Sequence, residues 1–137
     1  MEPVKKTFKE LKDIDYIVGN LYSREPSLKS GKFGYAYNRF YQKNILPLQR
    51  EYDYEMSEIA VKNAMVDDKT KELIGDPMNR RGFKFTREGL LKAMREEKVL
   101  TDAFEGKLVE VKPHFIEEIP PTLTEEEKLS LLGIIIK

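Results

Sequence analysis

From Phe33 to Ile59 the apolar residues return every three or four positions: Phe33, Tyr37, Phe40 or Tyr41, Ile45, Leu48, Tyr52, Met56 and Ile59. That spacing lines one face of an α-helix. A stripe of such width left in water would expose more apolar area than a monomer tolerates, so it must be a packing seam. Pro47 falls in its middle, where the missing N–H and the clash with the preceding turn force a kink or a break. The pattern continues in phase beyond Pro47, which favours a kinked helix over two separate ones.

The remainder of the chain reads as shorter pieces that pack on this helix. Phe8, Leu11, Ile14, Val18 and Leu21 recur at helical spacing, and Thr7 with Glu10 has the form of a capping box, giving a first helix over about Phe8 to Tyr22. Pro26, Ser27, Ser30 and Gly31 then mark a loop. Gly75, Asp76, Pro77, Asn79 and Gly82 supply turn chemistry between "KELI" and "FKF", the arms of a short β-hairpin. Thr86 caps a further helix containing Leu90, Leu91, Met94 and Phe104, which Gly106 stops. "KLVEV" alternates as a half-buried strand that Pro113 ends or confines to a sheet edge. After Pro120 and Pro121, Thr124 and Glu127 form a second capping box. It opens a last helix with Leu129, Leu132 and Ile136 on one face and Leu131, Ile134 and Ile135 on others. The sum is an α+β fold, mainly helical, in which a long kinked helix packs on two or three shorter ones beside a small β-hairpin or sheet. The 137 residues are the length of a single domain.

Composition narrows the function. Charged residues make up 35% and hydrophobic ones 40%, the balance of a globular protein with a charged surface. No apolar run reaches the roughly 20 residues of a spanning helix, so no membrane partner is expected. The opening "MEPVKKTFKE" has no apolar leader core, which points to the cytoplasm of the producing cell. With no cysteine there is no thiolate nucleophile and no thiolate metal site. The 24 basic and 24 acidic residues cancel, so only a local patch can draw a polyanion.

Candidate chemistry is sparse. His114 lies beside Pro113 and Phe115, and a base there needs an orienting carboxylate such as Glu110, Glu117 or Glu118. The acid pairs Asp13 and Asp15, and Asp67 and Asp68, and the run Glu125 to Glu127, lack calcium-loop spacing and read as solvated turns and caps. Gly31 and Gly34 precede a helix with Lys32 nearby, but no strand and no Gly-Lys-Ser/Thr ending accompany them, so a plain loop is the better reading. No nucleophile elbow or triad spacing is present. The expectation is a protein without catalytic residues, metal or cofactor.

Two contact surfaces remain. The stretch from Phe33 to Met56 holds seven of the chain's 14 aromatics. Of these, Tyr35, Tyr41 and Tyr54 fall off the helical stripe or at its edge and are free to meet a partner, as tyrosine commonly does at interfaces. Leu131, Ile134 and Ile135 belong to the apolar ending "LLGIIIK", which either inserts into the core or docks on a neighbouring subunit. They join the tyrosines as candidate interface residues. Arg39 and Lys43, interleaved with the aromatics, and Arg80, Arg81, Lys84 and Arg87 in "NRRGFKFTR", form the candidate nucleic-acid contacts. This basic cluster and the acidic Glu117, Glu118 and Glu125 to Glu127 suit head-to-tail contact between subunits equally well.

The order of parts resembles a family of short, uncharacterised proteins of tailed bacteriophages and prophages. The likeness lies in "YAYNRFYQKNILPLQREYDYEM", "DDKTKELIGD", "REEKVLTDAFEGKLVEV" and "PTLTEEEKLSLLGIII". The resemblance implies a phage structural, assembly or virion-associated protein that is non-enzymatic, binds itself as a homo-oligomer or other phage structural proteins, and resides in the host cytoplasm or the virion. Alternatives are a small inhibitor of a host enzyme or defence protein, and a nucleic-acid-binding accessory protein.

Overall fold

The computed structural model describes residues 4–137. They form two compact units: one runs up to Gln49 and resumes at Glu105–Lys137, and the other is Arg50–Phe104. The fold is α+β and mainly helical, with a long helical run and one small antiparallel sheet.

The first unit opens with β1 (Lys5–Thr7), which pairs antiparallel with β2 (Leu108–Glu110), setting Lys6 opposite Val109. The expected strand is therefore present, and its partner is a segment too short and too polar to stand out in the sequence. Thr7 then caps α1 (Phe8–Arg24). The Glu10 N–H donates to Thr7 Oγ1 at 3.1 Å and the Thr7 N–H to Glu10 Oε1 at 3.0 Å, satisfying two otherwise orphaned amides. The five apolar residues read as one stripe, Phe8, Leu11, Ile14, Val18 and Leu21, are all buried.

A 3-10 turn at Pro26–Ser30 leads into α2 (Lys32–Phe40). A single π-turn over Tyr41–Ile45 joins it to α3 (Leu46–Asn63). The helical run thus continues past Pro47, as the in-phase pattern implied. Its departure from α geometry lies immediately before the proline, where a wide turn accommodates the missing N–H and the bulky ring. Asn44 in the π-turn is buried. Its Nδ2 donates to Lys112 O and to Phe40 O, both at 2.9 Å, and its Oδ1 accepts from the Lys112 N–H at 2.7 Å. One side chain thereby pins the π-turn to the backbone just after β2.

The chain ends differently from expectation. α5 (Glu125–Leu131) starts at the expected Thr124–Glu127 capping box but has only seven residues. Gly133 adopts φ +82°, a left-handed conformation that ends a helix. The chain folds back so that the Gly133 N–H meets Ile136 O at 2.7 Å. No single helix face can bury three consecutive isoleucines, but this turn does: Ile134 and Ile135 are 0% exposed and Ile136 is buried, while Leu129 and Leu132 face solvent. Burial of each such side chain contributes roughly 1.5 to 3 kcal/mol. Arg24 reinforces the arrangement, donating to Glu127 Oε1 at 2.8 Å and to Thr122 O at 2.9 Å.

In the second unit, α4 (Arg87–Glu105) begins at Thr86, whose Oγ1 accepts from the Gly89 N–H at 3.0 Å. In the excursion before it the expected arms "KELI" and "FKF" do not form a ladder: an isolated antiparallel bridge joins Gly75, expected in the turn, to Phe83, and a second joins Val66 to Leu73. Ile74 bonds Met65 O on one side and receives Lys84 N–H on the other. Three short segments converge, and none is long enough to build a ladder. Arg81 anchors this excursion to α4 through a bidentate pair with Glu97, Nε to Oε2 at 2.8 Å and Nη2 to Oε1 at 2.7 Å. The stripe residues Tyr52, Met56 and Ile59 are half-buried here. Tyr52 meets Thr101 Oγ1 at 2.8 Å and packs edge-on to Phe104.

Candidate functional site

The largest concentration of tyrosine lies in a cleft of about 670 Å³ in the first unit, lined by Asp15, Tyr22, Tyr35, Tyr37, Asn38 and Tyr41 among others. Helical geometry assembles it. Asp15 and Tyr22 are seven residues apart and so share a face of α1; Tyr37 and Tyr41, and Tyr35 and Asn38, are neighbours one turn apart along the second helical run. Gly34 lets the two walls meet. A Cβ on it would lie 2.0 Å from Lys29 O, so only glycine admits the preceding turn this close to α2. The glycine singled out in the sequence thus serves backbone packing, and its neighbourhood is a turn and helix start rather than a phosphate cradle.

Asp15 is the one carboxylate among these lining residues. Its Oδ1 accepts a 2.5 Å hydrogen bond from the Tyr37 hydroxyl. No cation among the described residues pairs with it. Burial raises the pKa of the Tyr37 hydroxyl far above its ordinary value, and the hydrogen bond to Asp15 adds to the shift. Burial and the Asp15 charge raise Tyr22 in the same direction. Both phenols therefore stay protonated donors, unsuited to nucleophilic work at neutral pH. Tyr35 stands at the rim, 65% exposed.

The sequence candidates divide around this cleft. Tyr35 and Tyr41 belong to it. Tyr54 is equally exposed but lies in the second unit, on a separate shallow surface with Glu58, Ile59 and Leu100. Leu131, Ile134 and Ile135 are corrected from interface to core, because residues fully buried in their own unit have no surface to offer. Arg81 is likewise removed from the nucleic-acid set, since its guanidinium is held by Glu97 with only 13% of the side chain exposed. Arg80, Lys84 and Arg87 of the second unit are exposed, as are Arg39 and Lys43 of the first. His114 packs edge-on against Tyr35, ring centroids 6.3 Å apart. No described carboxylate bonds its ring, so the orienting partner a base requires is missing among the described residues.

Among the described residues no three or more acids or histidines gather as a metal site, and no helix is long and apolar enough to cross a membrane. Asp67 illustrates the role of the acid pairs: its Oδ1 accepts the Lys69 and Thr70 amides at 2.8 and 2.9 Å, and these bonds hold its carboxyl below the usual range. Asp15, Tyr22 and Tyr37 were not legible as site residues. Asp15 read as half of a solvated pair and Tyr37 as core, and only the packing of α1 against α2 brings them together. No protein-family model, curated protein or solved structure matches the chain.

Proposed function

We propose that this is a non-enzymatic, self-associating protein that works through protein–protein contacts at the tyrosine-lined cleft, as a structural, assembly or virion-associated component of a tailed phage. The phage setting rests on the resemblance in the order of parts. The contact reading rests on one observation: Tyr35, Tyr41, Tyr22 and Tyr37 line a single open concavity with Tyr35 projecting at its rim. Tyrosine offers large amphipathic contact area with few torsions to immobilise, which is why it concentrates at the energetic centres of interfaces. Protonated phenols, with no activated nucleophile beside them, suit recognition rather than turnover.

The test is the combined variant Tyr35→Ala/Tyr41→Ala. Association measured by light scattering should fall at least tenfold, about 1.4 kcal/mol, while the far-ultraviolet dichroism stays that of the parent. Unchanged association would remove the cleft from the contact. An inhibitor of a host protein would use the same chemistry on a different partner, and absence from purified particles distinguishes it. For nucleic acid the exposed Arg80, Lys84 and Arg87 are the remaining second-unit contacts, and a flat response of binding to salt removes that reading.

A further inference from the structure

The cleft is selective in its electrostatics. Four tyrosines line it, and a tyrosine ring face carries a negative quadrupole that attracts cations; Asp15 adds a carboxylate. That carboxylate uses Oδ1 for Tyr37, and neither oxygen pairs with a cation of the described residues. An anion would meet repulsion from both rings and carboxylate. A bare divalent metal would find one carboxylate where it needs several oxygens. An organic cation is stabilised twice, over ring faces and by a charge-assisted hydrogen bond to the free carboxylate oxygen. Among the described residues the one basic side chain lining the cleft is that of Lys29; it is exposed and makes no ion pair with Asp15.

The same chain carries the complement. Arg80, Lys84 and Arg87 are exposed; Arg80 lies within electrostatic reach of Glu97, but none of the three makes a side-chain hydrogen bond or ion pair with a described residue, in contrast to Arg81, which Glu97 holds. Resting on the contact reading above, we infer that the cleft of one copy receives a basic side chain from the Arg80–Arg87 stretch of a second copy, a head-to-tail contact in which the aromatic walls and Asp15 enclose the cation. Each copy offers one cleft and one basic stretch, so the contact either repeats from copy to copy or is made twice, reciprocally, within a pair.

The test is complementation between two full-length variants. One has a disabled cleft, Asp15→Asn with Tyr35→Ala; the other a disabled head, Arg80→Ala, Lys84→Ala and Arg87→Ala. Asn retains an acceptor for Tyr37, and the three basic residues are exposed, so both variants should fold; circular dichroism checks this. By light scattering each alone should remain monomeric, and an equimolar mixture should give a one-to-one dimer, since one intact cleft meets one intact head. N-acetyl-arginine methylamide at millimolar concentration should compete with parent association, and its norleucine counterpart should not. Lys29→Ala should strengthen association a few-fold by removing a repulsive charge. Association that survives in the head variant but is lost in the cleft variant would overturn the cationic contact while leaving the cleft as an interface. Association that survives in both would overturn the two readings together. Competition by norleucine equal to that by arginine would refute recognition of charge.

Discussion

Replacing Asn44 by alanine isolates the device that fixes the cleft wall. The side chain makes three hydrogen bonds, two of them to the peptide groups of Lys112 at 2.9 and 2.7 Å and one to Phe40 O at 2.9 Å. Alanine removes all three. At a net ~1 kcal/mol for each bond, more where the orphaned group stays dry, the loss sums to about 3 kcal/mol. For a chain of this length that lowers the thermal midpoint by roughly 10 °C. Urea unfolding followed by circular dichroism measures it, and amide exchange at Lys112 should accelerate in step. Asn44→Asp adds a control of sign: the acid keeps the acceptor for the Lys112 N–H but sets a charged oxygen against two carbonyls. Burial raises its folded pKa above the unfolded one, so this variant should regain stability as the pH falls through the folded value. A loss below about 0.5 kcal/mol for Asn44→Ala, the range of an ordinary surface change, would refute the view that this residue pins the π-turn.

Other perturbations follow from single contacts. Gly34→Ala sets a methyl against Lys29 O and should destabilise by roughly 2 kcal/mol or more in the same urea assay. Ile135→Asp should unfold the first unit rather than merely weaken association, because Ile135 has no exposed surface; a folded, monomeric variant would return the tail to the interface. Glu97→Ala leaves the Arg81 guanidinium nearly buried and unpaired and should cost about 3 kcal/mol. Arg81 holds the Glu97 carboxyl below its ordinary value of 4.5. The parent's contribution from this pair is therefore present above that value and lost as the pH falls through the lowered folded one, a decline that Glu97→Gln should lack.

Where local chemistry decides the structure, the sequence was readable. The Thr7–Glu10 and Thr124–Glu127 boxes, the α1 stripe and the passage of the helix through Pro47 depend on residues a few positions apart. The losses come from contacts distant in sequence. β1 has no alternation to betray it and exists because Leu108–Glu110 is there to pair with. The isoleucines look the same in sequence whether a neighbour or the protein's own core covers them, and the left-handed Gly133 decided it. Arg81 and Arg80 are identical neighbours in the chain, yet Glu97, 16 residues beyond Arg81, hydrogen-bonds only Arg81 and leaves the Arg80 side chain exposed beside it. The cleft was half legible. Tyr35 and Tyr41 stood out as off-stripe aromatics, but Asp15 and Tyr22 face them only because α1 lies alongside.

The most direct measurement is the solution mass by light scattering, over a concentration series, of the parent and of Tyr35→Ala/Tyr41→Ala. A parent mass that rises above one chain with concentration, and a folded variant that stays at one chain, is the expected result. A parent that is monomeric at every concentration, or an assembly that the paired substitution leaves intact, would contradict the tyrosine cleft as the contact through which this protein works.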